Sequence, residues 1–145
     1  MYLIDKTYFR NKLQISGLYD GNNGIETKLN DYISIYVIDF LQKLLGVDFE
    51  ELNTNIVSGV LEPTAPQRWL DLINGKTYTK DGKDYVWKGL LYQNGSVKLS
   101  ILANVVYCNL IHDLVTGNGQ ISVDVKSSRM LVPRKNYIEV WNEIA

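Results

Sequence analysis

The stretch IETKLNDYISIYVIDFLQKLL, residues 25–45, decides the fold, because its apolar residues recur at steps of three and four. That spacing places them on one face of an amphipathic helix: Ile25, Leu29, Ile33, Tyr36, Val37, Phe40, Leu41 and Leu44. Gly46 follows at the position where a left-handed residue commonly ends a helix. The stretch therefore predicts a long helix with one buried face and one solvated face.

A second long helix is predicted over residues 96–115, where apolar side chains cover two adjoining sides. An apolar surface this wide is typical of the central helix of a bundle. Shorter helices are predicted over residues 5–14 and 47–57, and around Trp69 after Pro63 and Pro66.

One β-hairpin is predicted where Asp81-Gly82 separates the β-prone runs 76–80 and 83–88. Two strands alone are marginal in water, so the hairpin must pack on the helices or pair with another chain. Residues 120–132 alternate between apolar and polar side chains, which predicts a half-buried strand or an extended arm. Pro133 opens a predicted final helix.

These elements predict a mainly α fold for one domain, residues 1–145: a small helical bundle with one β-hairpin and an extended C-terminal arm. The net charge of −1 argues against a dedicated nucleic-acid binder. The N-terminus lacks a signal-peptide pattern, and the longest apolar stretch is far shorter than the ~20 residues that span a bilayer.

Cys108 and His112 lie four residues apart, so they could form a nucleophile pair or half of a metal site. The chain has one Cys and one His, which leaves a metal site without its usual further ligands and excludes an internal disulfide. The alternative interpretation is a packed cysteine beside a histidine at a helix end.

Two charged clusters have alternative interpretations. Asp48, Glu50 and Glu51 could be catalytic carboxylates, but their position at a helix start already suits the helix dipole. The basic cluster is either a contact for phosphate or an acidic protein, or a solvated face: Lys126, Arg129, Arg134 and Lys135. No phosphate loop, dinucleotide fingerprint or nucleophile elbow occurs in the sequence. We therefore expect no catalytic residues, no cofactor and no metal, and a protein that is not an enzyme.

One pattern of Trp, Gly and Tyr positions resembles a known family. It covers residues 63–128 and runs through RWLDLINGKTY (68–78), WKGL (87–90), the long apolar helix with Tyr107, and Thr116-Gly117, and ends at KSS (126–128). The order resembles head–tail connector or adaptor (neck) proteins of tailed bacteriophages, most of all those of phages of gut bacteria, including the crAss-like phages. The chain departs from the pattern at YQNG, residues 92–95, which interrupts the entry into the long helix.

The resemblance implies a connector-type subunit that assembles with itself into a ring, expected to be twelvefold. The ring would sit beneath the portal protein and join it to the tail or to a second neck protein. A hairpin and extended arms would reach neighbouring subunits, and DNA would pass through the lumen without sequence-specific contact. The protein would belong to the virion and assemble in the host cytoplasm, without a membrane partner.

Ten Tyr and three Trp are compatible with such an interface, because these side chains combine large contact area with a polar group. A tyrosine-rich core and surface is the alternative explanation. The predicted inter-subunit residues lie on the hairpin and on the arm: Tyr78, Tyr85, Trp87, Ile121, Val123 and Val125. The rival hypothesis is a monomeric protein-binding adaptor or regulatory module of phage or host origin.

Overall fold

Two long helices that pack against each other form the centre of the fold: α1 (Asn23–Leu45) and α4 (Ile101–Thr116). The computed structural model describes residues 1–21 and 23–116. The buried side chains of α1 follow each other at four-residue steps, as the periodicity predicted: Leu29, Ile33, Val37 and Leu41. Gly46 has a φ of 58°, so the left-handed end of α1 is confirmed.

Most of the α4 surface is buried, which confirms that this helix is surrounded by neighbours. Its buried side chains are Leu102, Ala103, Val105, Val106, Tyr107, Cys108, Leu110 and Ile111. The Tyr32 hydroxyl of α1 donates a hydrogen bond to the Asp113 carboxylate of α4. Burial and this hydrogen bond raise the pKa of Tyr32, so the phenol stays protonated and keeps donating.

The N-terminal residues cover one end of the helix pair. The helix predicted over residues 5–14 is instead two 3₁₀ turns, Lys6–Tyr8 and Asn11–Leu13. The side chain of Phe9 between them is fully buried in the core. The Leu3 amide donates to the Gly59 carbonyl at 2.7 Å, which joins this segment to the middle of the chain.

The helix predicted over residues 47–57 is shorter than expected. A 3₁₀ turn, Gly46–Asp48, leads into α2 (Phe49–Thr54), and a short hairpin follows, β1 (Ile56–Val57) and β2 (Val60–Leu61). Ser58 and Gly59 form its two-residue turn with φ values of 53° and 79°. Positive φ at both turn positions suits the twist of a hairpin, so these residues turn the chain rather than merely end a helix.

The predicted helix around Trp69 and the predicted hairpin are both present. Helix α3 (Gln67–Asn74) buries Trp69 and Ile73, and β3 (Lys76–Lys80) pairs antiparallel with β4 (Lys83–Trp87). Asp81 and Gly82 connect these strands with φ values of 53° and 71°.

The second long helix begins later than predicted, because residues 91–100 form another hairpin. Strand β5 (Leu91–Asn94) pairs with β6 (Val97–Ser100), and α4 starts only at residue 101. Gly95, with a φ of 60°, allows the two-residue turn between them. The sequence departure at residues 92–95 lies in this hairpin.

The prediction of a mainly α fold, a small helical bundle with one β-hairpin, is therefore wrong. Besides the α1–α4 pair, the described residues contain three antiparallel two-stranded sheets, which makes this part of the chain an α+β domain. The predicted helices over residues 47–57 and 96–115 overlap two of the three hairpins, at β1 and at β6. The predicted C-terminal arm, residues 120–132, and the final helix after Pro133 lie outside the described residues.

Candidate functional site

The hairpin of β3 and β4, here called the aromatic hairpin (residues 76–87), is exposed along both strands. Every residue of the two strands lies in the exposed class, although three of them are aromatic and one is valine. An isolated two-stranded hairpin is marginally stable at best in water. The aromatic hairpin therefore keeps apolar side chains that the described residues leave uncovered.

One face of the aromatic hairpin carries its three aromatic side chains. Tyr78 and Tyr85 are directly opposite in the strand register, and their rings stack with centroids 5.5 Å apart. Trp87 opposes Lys76 on the same face. Tyr78, Tyr85 and Trp87 keep 45%, 42% and 40% of their surface exposed, respectively. The structure therefore brings together the three predicted interface residues that it describes.

The base of the aromatic hairpin is fixed to α3 by close backbone contacts at two glycines. A Cβ at Gly75 would lie 2.6 Å from the Trp87 carbonyl oxygen, and one at Gly89 would lie 2.4 Å from the Ile73 carbonyl oxygen. The Trp87 indole N–H donates to the Leu72 carbonyl at 3.0 Å. Among the described residues, the aromatic hairpin is thus anchored to the core at its base, and its strands extend from there into solvent.

An open groove of about 650 Å³ runs between the aromatic hairpin and β5. Its apolar walls include Val86, Trp87, Leu91 and Tyr92. Val86 is 66% exposed and lies on the opposite face of the hairpin from the tyrosines. Both faces of the hairpin therefore present apolar side chains, and Val86 is an interface candidate that the sequence reasoning missed.

A smaller concavity of about 260 Å³ lies between the N-terminal 3₁₀ turns and β6. Lys98 donates to the Thr7 hydroxyl at 2.7 Å and lies 5.1 Å from the centre of the Tyr8 ring. The buried Oδ1 of Asn104 has no hydrogen-bond partner in the part of the chain that the structure describes. The described residues that line this concavity include Thr7, Ser96 and Ser100 but no His, Cys, Asp or Glu, so we assign no reaction to it.

The packed-cysteine interpretation of Cys108 agrees with the structure. Its side chain is fully buried, and burial raises the pKa of the thiol to about 12. The thiolate that nucleophilic catalysis needs is therefore strongly disfavoured at neutral pH. Over residues 1–21 and 23–116, no group of three or more His, Cys, Asp or Glu side chains could hold a metal ion.

The acidic cluster at the start of α2 has structural roles. Glu51 accepts a hydrogen bond from the Trp69 indole at 3.1 Å and forms an ion pair with Arg68. Arg68 also lies 3.8 Å from Asp48 and stacks over the Trp69 ring at 4.3 Å. These contacts tie α2 to α3 and leave Glu50 at the surface.

The remaining predicted site residues lie outside the described residues. They are the arm residues Ile121, Val123 and Val125, and the basic residues Lys126, Arg129, Arg134 and Lys135. Their proposed roles stay predictions from the sequence.

Comparisons with protein-family models, with curated proteins and with solved structures found no match to this chain. Of the helices in the described residues, none is both long enough and apolar enough to cross a lipid bilayer.

Proposed function

We propose that this chain is a structural virion protein, a subunit of a ring that joins the portal to the tail in the neck of a tailed phage. Two observations support the proposal: the resemblance over residues 63–128 and the exposed aromatic hairpin. The hairpin is the stronger support. Its stacked tyrosines, its tryptophan and a valine are exposed to water, and two strands alone are only marginally stable.

The area of the aromatic hairpin indicates that it is one part of a larger interface. Each of these partly exposed side chains offers roughly 100 Å² of contact area. Together, Tyr78, Tyr85, Val86 and Trp87 therefore supply about 400 Å² to an interface. A stable protein interface buries about 800 Å² on each partner. A ring interface therefore needs a comparable second area, for which the predicted arm with Ile121, Val123 and Val125 is one candidate.

The charge of the chain suits a subunit around a DNA channel. With a net charge of −1, a ring of identical copies would hold phosphates weakly, so DNA could pass without being retained. In this proposal the portal protein lies on one side of the ring and the tail or a second neck protein on the other. The ring is part of the virion and assembles in the host cytoplasm.

Light scattering and negative-stain imaging of the purified chain test the proposal. We expect the wild-type chain to form rings of one size. Tyr78→Ser/Tyr85→Ser/Val86→Ser should leave a folded monomer, because it removes apolar contact area without touching the core. Deletion of residues 120–132 should also abolish rings and leave a folded monomer, and unchanged ring assembly would contradict the role of the arm.

Ile35→Ser is the matched control, since Ile35 is an equally exposed apolar residue on α1, outside the hairpin. It should assemble as the wild type does. A wild-type chain that stays solitary at every concentration would contradict the ring and favour the monomeric adaptor.

A further inference from the structure

We infer that the aromatic hairpin of one copy docks on an acidic surface, residues 44–62, of the next copy in the ring. This inference rests on the proposed self-assembly and names the two surfaces that meet. The acidic surface comprises the end of α1, the following 3₁₀ turn, α2, and the hairpin of β1 and β2.

The acidic surface is one local unit with a strong charge bias. Its 19 residues include Asp48, Glu50, Glu51 and Glu62, and no Lys or Arg. The Glu62 amide donates to the Asn55 carbonyl at 2.9 Å, and the Asn55 side chain donates to the Glu51 carbonyl at 2.8 Å. These bonds hold β2 against the end of α2, so the carboxylates belong to one structural unit.

Two of these carboxylates lack a basic partner within the described ranges: Glu50, which is exposed, and Glu62, which is partly exposed. Arg68 pairs with Glu51 and lies near Asp48. Among the described residues, no Lys or Arg forms an ion pair with Glu50 or Glu62.

The acidic surface also exposes apolar side chains, which an interface centre requires. Val47 is 93% exposed, and three further residues are at least half exposed: Leu44, Val57 and Val60. Contact with the apolar side chains of the aromatic hairpin would remove both sets from water. The acidic surface therefore offers an apolar counterpart to the hairpin, whereas the second area beside the hairpin is still the one that we assign to the predicted arm.

The aromatic hairpin carries the complementary charge. Its residues 76–87 contain three Lys and two Asp, and Lys76 already forms an ion pair with Asp71 at the base. Lys80 and Lys83 are directly opposite each other next to the turn, an arrangement that is unfavourable because like charges repel across a strand pair. Neither lysine has an ion-pair partner in the described part of the chain. Carboxylates from a neighbouring copy would relieve this repulsion.

A contact between two different surfaces of identical copies is heterologous, and heterologous contacts form rings when the rotation closes. Each copy would offer its hairpin to one neighbour and its acidic surface to the other. This geometry agrees with a ring and differs from a two-fold dimer, in which the same surface meets itself.

A charge exchange between two variants tests the inference. The first variant, Lys80→Glu/Lys83→Glu, has an acidic hairpin, and the second, Glu50→Lys/Glu62→Lys, has a basic docking surface. Each variant alone should show at least a tenfold weaker self-association, because like charges then face each other. An equimolar mixture should regain assemblies of wild-type size, since the two variants alternate with complementary charges at every contact.

The control variant Asp20→Lys/Asp31→Lys makes the same change in net charge as Glu50→Lys/Glu62→Lys at exposed residues outside both surfaces. It should assemble as the wild type does. The inference is overturned if either exchanged variant assembles normally, or if the folded variants stay monomeric in the mixture. If the wild-type chain forms rings but the variants behave in either of these ways, only the docking inference is wrong. A wild-type chain that stays monomeric would contradict both the docking inference and the proposed ring.

Zero-length carbodiimide crosslinking of the wild-type ring is independent of whether the variants fold. In a ring assembled from two isotope-labelled populations, crosslinks between differently labelled copies should join Lys80 or Lys83 to Glu50 or Glu62. Inter-copy crosslinks confined to other surfaces would overturn the inference.

Discussion

Two titratable side chains, the buried Cys108 and the partly buried Tyr2, tie the stability of the fold to pH at the scale of single residues. Burial raises the pKa of the Cys108 thiol from 9.0 to about 12. Burial and the nearby Glu50 carboxylate raise the pKa of the Tyr2 phenol from 10.0 to about 12, and its hydroxyl donates to Asn53 at 2.7 Å. In the folded chain, burial therefore favours the protonated form of both groups.

We predict that the free energy of unfolding decreases as the pH rises from about 9 towards 12. Above pH 9 the unfolded chain loses protons that the folded chain retains, so deprotonation favours unfolding. Below pH 9 these two groups contribute their full stability. Thermal unfolding followed by circular dichroism at pH values from 7 to 11 measures the effect.

Cys108→Ala is the control for this alkaline loss. The variant should be less stable than the wild type at pH 7, because it leaves a small cavity, but its stability should change less between pH 9 and 10. An unfolding temperature of the wild type that is constant from pH 8 to 11 would contradict the prediction.

At the scale of elements, two glycines at the base of the aromatic hairpin determine the direction in which the hairpin leaves the core. Gly75 and Gly89 have φ values of 100° and 86°. Each glycine packs closely against the backbone next to the other one. The Leu90 amide donates to the Leu72 carbonyl at 3.0 Å beside them. Gly75 and Gly89 belong to the pattern that resembles neck proteins, and their packing gives that pattern a structural reason.

We predict that Gly89→Ala destabilises the fold by about 2–5 kcal/mol, because an unfavourable φ and a backbone clash add together. Gly82→Ala is the matched control in the hairpin turn, since Gly82 also has a positive φ but its Cβ would meet nothing within 4 Å. It should cost only about 1–2 kcal/mol. Chemical denaturation measures both, and equal losses would contradict the role of the close contact.

The start of α4 shows why part of the element pattern escaped sequence reasoning. Ser100 is buried, donates to the Leu90 carbonyl at 2.7 Å, and accepts from the Leu102 amide at 3.1 Å, so it caps the helix. Val97 and Leu99 fit the helical spacing of the residues that follow, yet they lie on an exposed strand. The pairing with β5 that holds them there is a tertiary contact, although Gly95-Ser96 was a usable turn signal.

Local patterns were sufficient where one signal dominated. Helix α1 has an uninterrupted period over five turns, and Asp81-Gly82 is a strong turn pair, so both elements were predicted correctly. The strands β1 and β2 have two residues each, too few for a period, and the turn residues between them resembled the end of a helix.

At the scale of the whole molecule, the candidate site was predictable only in part. Tyr78, Tyr85 and Trp87 could be named because aromatic residues flank a hairpin turn. Exposure depends on what the rest of the fold covers, so the sequence did not single out Val86, Val47 or the acidic surface as interface candidates. Their identification required the packed α1–α4 core.

Hydrogen–deuterium exchange of the wild-type chain measures whether the chain assembles with itself through the aromatic hairpin, without any substitution. Exchange measured at a low and a high protein concentration compares free and assembled copies at each peptide. We expect slower exchange at high concentration in the aromatic hairpin (residues 76–87) and in the acidic surface (residues 44–62), with little change in α1 before residue 44. Identical exchange at both concentrations, with the mass of a single chain throughout, would contradict it.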